Sequence, residues 1–299
     1  MISIQIKDIL NKIKTVDFKG NKSDIITEII QIDTENTKQN ILCWCSDKNK
    51  ELLKAVTTGT FIISTNIEEE YLKTKCNYII VENPRRTFQK ILTNFFVEKI
   101  EAKISTSAKI DKSVEIGKEV YIGENVILEK NCKIGDNTII QHNTTIFKDT
   151  IIGNNVVIGA NNTIGGIGFG YEKDENGDFQ LIPHIGNVVL KNNVEIGNNT
   201  TIDRAVLGST ILEENVKIDN LVHIAHGVKI GRNSVIIANS MIAGSVKIGE
   251  NTWLAPSSSV LNQKTIGKNS LVGMGAVVLK DVGNNEVVAG SPAKFLKKI

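Results

Sequence analysis

The sequence has few aromatic residues, four cysteines, four histidines and almost no excess charge, and each shortage narrows what the chain can be. Aromatics are 5% of 299 residues against 24 glycines, a balance that suits thin strands and tight turns better than a helical bundle. The net charge of +2, with no Lys/Arg block, argues against a nucleic-acid partner. Lys294 to Lys298 reads as a mildly basic, solvated tail. Cys43, Cys45, Cys76 and Cys132 form no CxxC pair, and their spacing fits neither a zinc site nor a disulfide framework, so free thiols are expected. A zinc hydrolase would need about three converging histidines. The chain offers His142, His184, His223 and His226, and the last two sit three apart across a turn, so no metal site is expected. No run of 18 apolar residues and no basic-then-apolar leader occurs, so a soluble, cytoplasmic protein without a transmembrane segment is expected.

What is present is a period of six. Aliphatic residues recur without a miss from Ile104 through Ile110, Ile116 and onward to Ile164, and again from Leu212 through Ile218 and Ile224 to Val278. Leu190, Ile196 and Ile202 form a short run between them, bringing the total to 26. Glycine often follows the aliphatic residue, as at Gly117, Gly123 and Gly231, and a small or β-branched residue often sits four places on, as at Val126, Thr138 and Ser234. Neither a helical period nor strand alternation fits; a short strand, a corner and another short strand does. The aliphatic residue points inward, and Gly or Asn accepts the unusual corner backbone. Three faces close a coil of 18 residues, and stacked coils bury one another's interiors. The reading is mainly β, a parallel β-helix of eight to nine coils over 101–280, followed by a short tail at 281–299.

Two breaks interrupt the rhythm. Residues 165–189 form a loop containing Gly168-Phe169-Gly170-Tyr171 and Pro183-His184, and ten residues replace six between Ile202 and Leu212. Loops thrown from a rigid scaffold are where function concentrates. Residues 1–100 read differently. Strands at 41–45, 61–63 and 78–81 alternate with helices at 50–56, 67–72 and from Pro84 to Phe95 or Phe96, a small α/β domain. Its only glycines are Gly20 and Gly59, so it holds no GxGxxG phosphate loop.

His226 lies two places after Ile224, at a corner, facing out. A lone outward histidine is more often an ordinary surface residue than a catalyst. One coil further on stands Gly244, two places after Ile242, so its backbone N–H belongs about 5 Å away, one strand spacing. A base beside an unobstructed amide donor is a minimal acyl-transfer site. The base takes a proton from an attacking amine, and the amide steadies the oxyanion.

The segments Gly168-Phe169-Gly170-Tyr171, Ile182-Pro183-His184-Ile185-Gly186, Thr200-Thr201-Ile202-Asp203-Arg204 and Ile218-Asp219-Asn220 through Ile224-Ala225-His226 resemble the UDP-3-O-acylglucosamine N-acyltransferases of lipid A synthesis, over nearly the whole chain. The resemblance implies a left-handed β-helix, a homotrimer with active sites between subunits, His226 as catalytic base and Gly244 as oxyanion amide. It makes Phe169, Tyr171, His184, Asp203, Asn220 and His223 candidate substrate-binding residues. His184 reads equally as a structural loop histidine, Asp203 as a residue satisfying the irregular coil, and Asp219 is a weaker candidate to orient His226.

The family's N-terminal domain grips uracil with an aromatic, an asparagine and a tyrosine. Here those places hold Cys43, Ser46 and Asn49, with Trp44 adjacent, so Trp44, Ser46 and Asn49 are the nucleotide-binding candidates. Other departures are Ile167 before the loop motif, Gln263 or Lys264 where a histidine is expected, and an ending at Val288-Ala289-Gly290-Ser291-Pro292-Ala293-Lys294 like that of CoA-dependent sugar acetyltransferases. The departures favour transfer of acetyl from acetyl-CoA to a nucleotide-linked amino sugar of surface polysaccharide. The alternative is the lipid A reaction with a 3-hydroxyacyl chain from acyl carrier protein, and the third reading is a non-catalytic β-helix for binding or assembly. No tightly bound cofactor is expected in any of them.

Overall fold

The computed structural model describes residues 3–32 and 38–298, and the chain divides into two compact units, Met1–Lys99 and Ile100–Ile299. The second unit is a left-handed parallel β-helix. Its strands are mostly two residues long, and outside the insertions and the C-terminal strands each pairs in parallel with the strand 18 residues on. Three sheets result, of 8, 9 and 11 strands. We call the sheet with Tyr121–Ile122 the first face, that with His223–Ile224 the second and that with Lys229–Ile230 the third. The aliphatic residues from Ile122 to Val278 form one continuous buried core, to which the β-branched residues four places on, such as Val126 and Val228, also belong. The polar residues at that place are satisfied: the Thr138 hydroxyl donates to the Gly153 carbonyl (3.0 Å), and the Ser234 hydroxyl to that of Gly249 (2.8 Å).

The corners correct one expectation. The left-handed backbone falls three places after the aliphatic residue and is held mostly by asparagine, as at Asn215, Asn233 and Asn251, with φ between 55° and 62°. Asparagine tolerates that conformation, and these side chains bond in a ladder from coil to coil: Asn215 donates to Asn233 (2.8 Å) and Asn233 to Asn251 (3.2 Å). The glycines directly after the aliphatic residue do not supply this turn. They are needed because coils stack too closely there. A Cβ on Gly231 would lie 2.6 Å from the Glu250 nitrogen, and one on Gly123 would lie 2.8 Å from the His142 nitrogen.

The expected solvated tail is also corrected. Glu286–Ala289 continues the first face in parallel, and Lys294–Lys298 pairs antiparallel on it as the last strand. Its side chains are exposed while its backbone is paired. A strand with three lysines closes the sheet edge and discourages further pairing.

The first unit is a five-stranded sheet in the order Asp17–Lys19, Cys76–Val81, Gly59–Ser64, Ile41–Trp44, Glu28–Ile29, parallel except for the first pair. The helix Pro84–Phe95 packs on one side, begun by Pro84 and capped where the Asn83 side chain accepts from the Arg86 N–H at 3.0 Å. The two helices expected at 50–56 and 67–72 are instead tight three-residue-per-turn segments at Asp47–Lys54 and Glu69–Tyr71. Only Leu53 is buried in the first and Tyr71 in the second, too little apolar anchorage for a longer amphipathic helix.

Candidate active site

Both interruptions of the repeat leave the prism at the same corner, between the second and third faces. After Ile164 the chain departs and returns at Asn187–Leu190, so that Ile152 pairs with Leu190. One coil later it departs after Asp203 and returns at Ser209–Leu212. The two insertions brace each other. The Ile185 N–H donates to the Val206 carbonyl (3.0 Å), the Gly186 N–H to that of Ala205 (3.1 Å), and a Cβ on Gly186 would lie 2.3 Å from the Gly208 oxygen.

Arg204 ties both to the scaffold. It is 2% exposed, and its guanidinium donates to the carbonyls of Gly165 (2.7 Å) and Lys148 (2.9 Å) while its N–H donates to that of Gly166 (2.9 Å). Arg204 was visible in the sequence only as part of a motif. What marks it is a cationic residue lying inside a break of an otherwise apolar rhythm.

The next two turns of this corner carry His226 and Gly244. Their coils are in register, Ile224 against Ile242, and the Ser245 N–H donates to the His226 carbonyl at 2.9 Å. The imidazole leans over Gly244: a Cβ there would lie 2.7 Å from both Cε1 and Nε2. A side chain at Gly244 would push the ring aside. The Gly244 N–H makes no hydrogen bond among the described residues. At the same place of the hexad some N–H groups are taken by a side chain one coil on, as Lys118 by Asp136 and Ala160 by Asn198, while others, such as those of Arg232 and Glu250, make no hydrogen bond among the described residues. Burial, and then the nearby His184, hold the His226 pKa below its ordinary 6.5, which keeps the ring neutral at physiological pH.

His184 comes from the first insertion and is 6% exposed. Its ring meets that of His226 edge to face, with centroids 5.2 Å apart. Gly168 and Gly170 make room for it: a Cβ on Gly168 would lie 2.9 Å from His184 Nε2 and 3.1 Å from His226 Cβ, and one on Gly170 would lie 3.2 Å from His184 Cε1.

Asp203 and His223 form a second group on the outside of the second face. The nearest approach of His223 Nε2 to the Asp203 carboxylate is 3.7 Å, and His223 Nδ1 hydrogen-bonds the Thr201 hydroxyl at 2.7 Å. Burial pushes Asp203 up to about 6 and His223 down, so desolvation outweighs mutual attraction. Thr201 was not singled out in the sequence, although register with His223 follows from its place in the coil.

The other candidates lie elsewhere. Phe169 and Tyr171 stand on the exposed side of the loop, 4.9 Å apart, with Phe169 85% exposed. Asn220 and Asp219 occupy the preceding corner, where Asn220 accepts from the Asn198 N–H (2.7 Å) and Asp219 from that of Ala238 (3.2 Å), so Asp219 does not orient His226. In the first unit Trp44 is half-buried against Phe88, with centroids 6.5 Å apart. Ser46 precedes the Asp47–Lys54 segment, and Asn49 is exposed. Cys43 is buried in the core, its thiol pushed by burial up to about 12. All four cysteines are unpaired thiols. Among the described residues no His, Cys, Asp or Glu side chains group as three metal ligands, and no helix is long and apolar enough to cross a membrane. A concavity of about 580 Å³ between Glu213 and Asn284 is lined by no candidate residue.

The description "Bacterial transferase hexapeptide (six repeats)" matches residues 113–148, 131–166 and 209–244. Among curated proteins the chain is 53% identical over 129 residues to the UDP-3-O-acylglucosamine N-acyltransferase of Christiangramia forsetii, covering 43% of this chain and 38% of that protein. It is 56% identical over 126 residues to UDP-3-O-acylglucosamine N-acyltransferase 2 of Legionella pneumophila, covering 42% and 36%. In both, the chain spans under two fifths of the relative's length. Among solved structures it resembles the UDP-N-acetylglucosamine acyltransferase of Francisella novicida at 26% identity, with a TM-score of 0.61 over 66% of this chain and 70% of that one. The Campylobacter jejuni UDP-N-acetylglucosamine acyltransferase, at 23% identity and TM-score 0.58 over 66% and 75%, shares the fold. The chain is a left-handed β-helix of hexapeptide repeats, and its relatives are hexapeptide acyltransferases.

Proposed function

We propose that the protein is an N-acyltransferase that moves an acyl group from a thioester to the amine of a nucleotide-linked amino sugar. One observation carries this: the neutral imidazole of His226 lies over Gly244, whose N–H makes no hydrogen bond among the described residues. The amine attacks the thioester carbonyl and loses its proton to His226. The Gly244 N–H receives the oxyanion. On collapse the carbon–sulfur bond breaks, and the proton held by His226 passes to the leaving thiolate. Base and donor together are worth about 10⁴–10⁷-fold.

The names of the curated relatives favour UDP-3-O-acylglucosamine as the sugar, and with it the lipid A reaction using a 3-hydroxyacyl chain from acyl carrier protein. Acetyl transfer from acetyl-CoA is the second reading. What favours it is the first unit, where buried Cys43 stands in place of a stacking aromatic. A homotrimer is part of the proposal, as the resemblance to the N-acyltransferases implies. The test pairs each donor, acetyl-CoA or 3-hydroxyacyl carrier protein, with UDP- and dTDP-amino sugars. Acylation of UDP-3-O-acylglucosamine from the carrier protein is expected. CoA release with acetyl-CoA as the sole productive donor would move the assignment to the second reading, and no transfer with any pair would leave the non-catalytic one.

A further inference from the structure

His184 holds a buried acceptor that nothing among the described residues satisfies. Its Nδ1 donates to the Ile182 carbonyl at 2.7 Å, which leaves Nε2 unprotonated in the neutral ring. That Nε2 has no hydrogen-bond partner among the described residues. Leaving a buried acceptor unpaired is costly, so a partner is to be expected. Nε2 is shut off from solvent, so a substrate cannot reach it directly. The ring beside it is that of His226.

The spacing of the two rings is informative. Imidazole nitrogens stand about 1.1 Å from their ring centre, so two rings joined by an N–H···N bond of about 2.9 Å have centres about 5.1 Å apart. The observed separation is 5.2 Å. Both rings crowd one point: the Gly168 Cβ position lies 2.9 Å from His184 Nε2 and 3.2 Å from His226 Cδ2. A half-turn about the His226 Cβ–Cγ bond puts Nδ1 where Cδ2 stands and exchanges Cε1 with Nε2. The latter two are equally near Gly244, both 2.7 Å from its Cβ position, so the half-turn keeps Nε2 over the oxyanion donor.

We propose that His184 is a positioning residue for His226: in the working orientation the His226 Nδ1–H donates to His184 Nε2, which fixes His226 Nε2 as the unprotonated base above Gly244. The chain of bonds runs from the Ile182 carbonyl through His184 to His226, and orients the base as a third group orients the base of a catalytic triad. The inference rests on His226 being the base. It also gives Gly168 and Gly170 a purpose, since they admit the second ring beside the first.

The test is ¹⁵N NMR of the histidine side chains in the full-length protein at pH 8 without substrate, assigned with His226→Ala. The expected result is His226 as the Nδ1–H tautomer. In His184→Phe it reverts to the Nε2–H form that a free neutral imidazole favours, and kcat falls at least about tenfold with KM little changed, within the about 10⁴-fold of a fully misplaced tautomer. His184→Gln, whose side-chain carbonyl reaches the place of Nε2, restores both. A wild-type His226 in the Nε2–H form, or a tautomer unchanged by His184→Phe, overturns the proposal. If His184→Phe does not fold, the wild-type and His184→Gln spectra decide. The Nδ1–H tautomer in a protein without acyl transfer would sink the reading of function and leave the bond standing.

Discussion

Two residues near the site store cost rather than stability. Asp203 is largely buried, and the only basic group near it is a histidine that is itself held neutral. Its carboxyl titrates at about 6 in the folded chain, above the usual carboxylate range. The folded state therefore binds a proton that the unfolded state has lost between about pH 4 and pH 6, and stability falls as pH rises through that window. Asp203→Asn is expected to stabilise the protein by about 1–3 kcal/mol at pH 8 and by nothing near pH 4. Urea unfolding at the two pH values measures this. An equal effect at both would show that the carboxylate is not strained by burial. Retaining a strained acid on the outer face, beside Thr201 and His223, is the pattern of a residue kept for binding rather than for the fold.

Among the elements, the coil and the places of both insertions were legible, and the way the insertions fold back was not. A period of six needs only local counting, and the step of 18 placed Ile224 against Ile242 and His226 against Gly244 as the ladder has them. The same counting puts Asn220 one hexad before His226, hence at the neighbouring corner, where it serves the stack. How residues 165–189 fold back has no period to betray it. The contact of His184 with His226 depends on Gly168, Gly170 and the second insertion, and only the motif hinted at it. The short segments at 47–54 and 69–71 misled for the opposite reason: their local pattern suggested helices, but one buried side chain each does not support them. Arg204 joins coil to insertion. Arg204→Met leaves the Gly165 and Lys148 carbonyls without their donor, and the expected cost is about 2 kcal/mol. Limited proteolysis should then cut first within 165–189. Unchanged cleavage there would mean that the bracing between the two insertions suffices without the arginine.

At the scale of the whole molecule, the β-helix is a column that repeats one corner many times and alters it in one place. Asparagine ladders and glycine contacts keep the other corners closed. At the altered corner two insertions leave, and the imidazole of His226 lies over Gly244, whose N–H makes no hydrogen bond among the described residues. The relatives' activity and this single irregular corner point to one chemistry. Its most direct test is kcat/KM for acyl transfer by His226→Ala against the wild type, with the donor and sugar that the wild type uses. Neither ring nitrogen of His226 holds a coil together, so the variant should fold with little change in melting temperature. A loss of about 10²–10⁴-fold is expected for a general base. A rate within a few-fold of the wild type would contradict the assignment of His226 and, with it, the site at this corner.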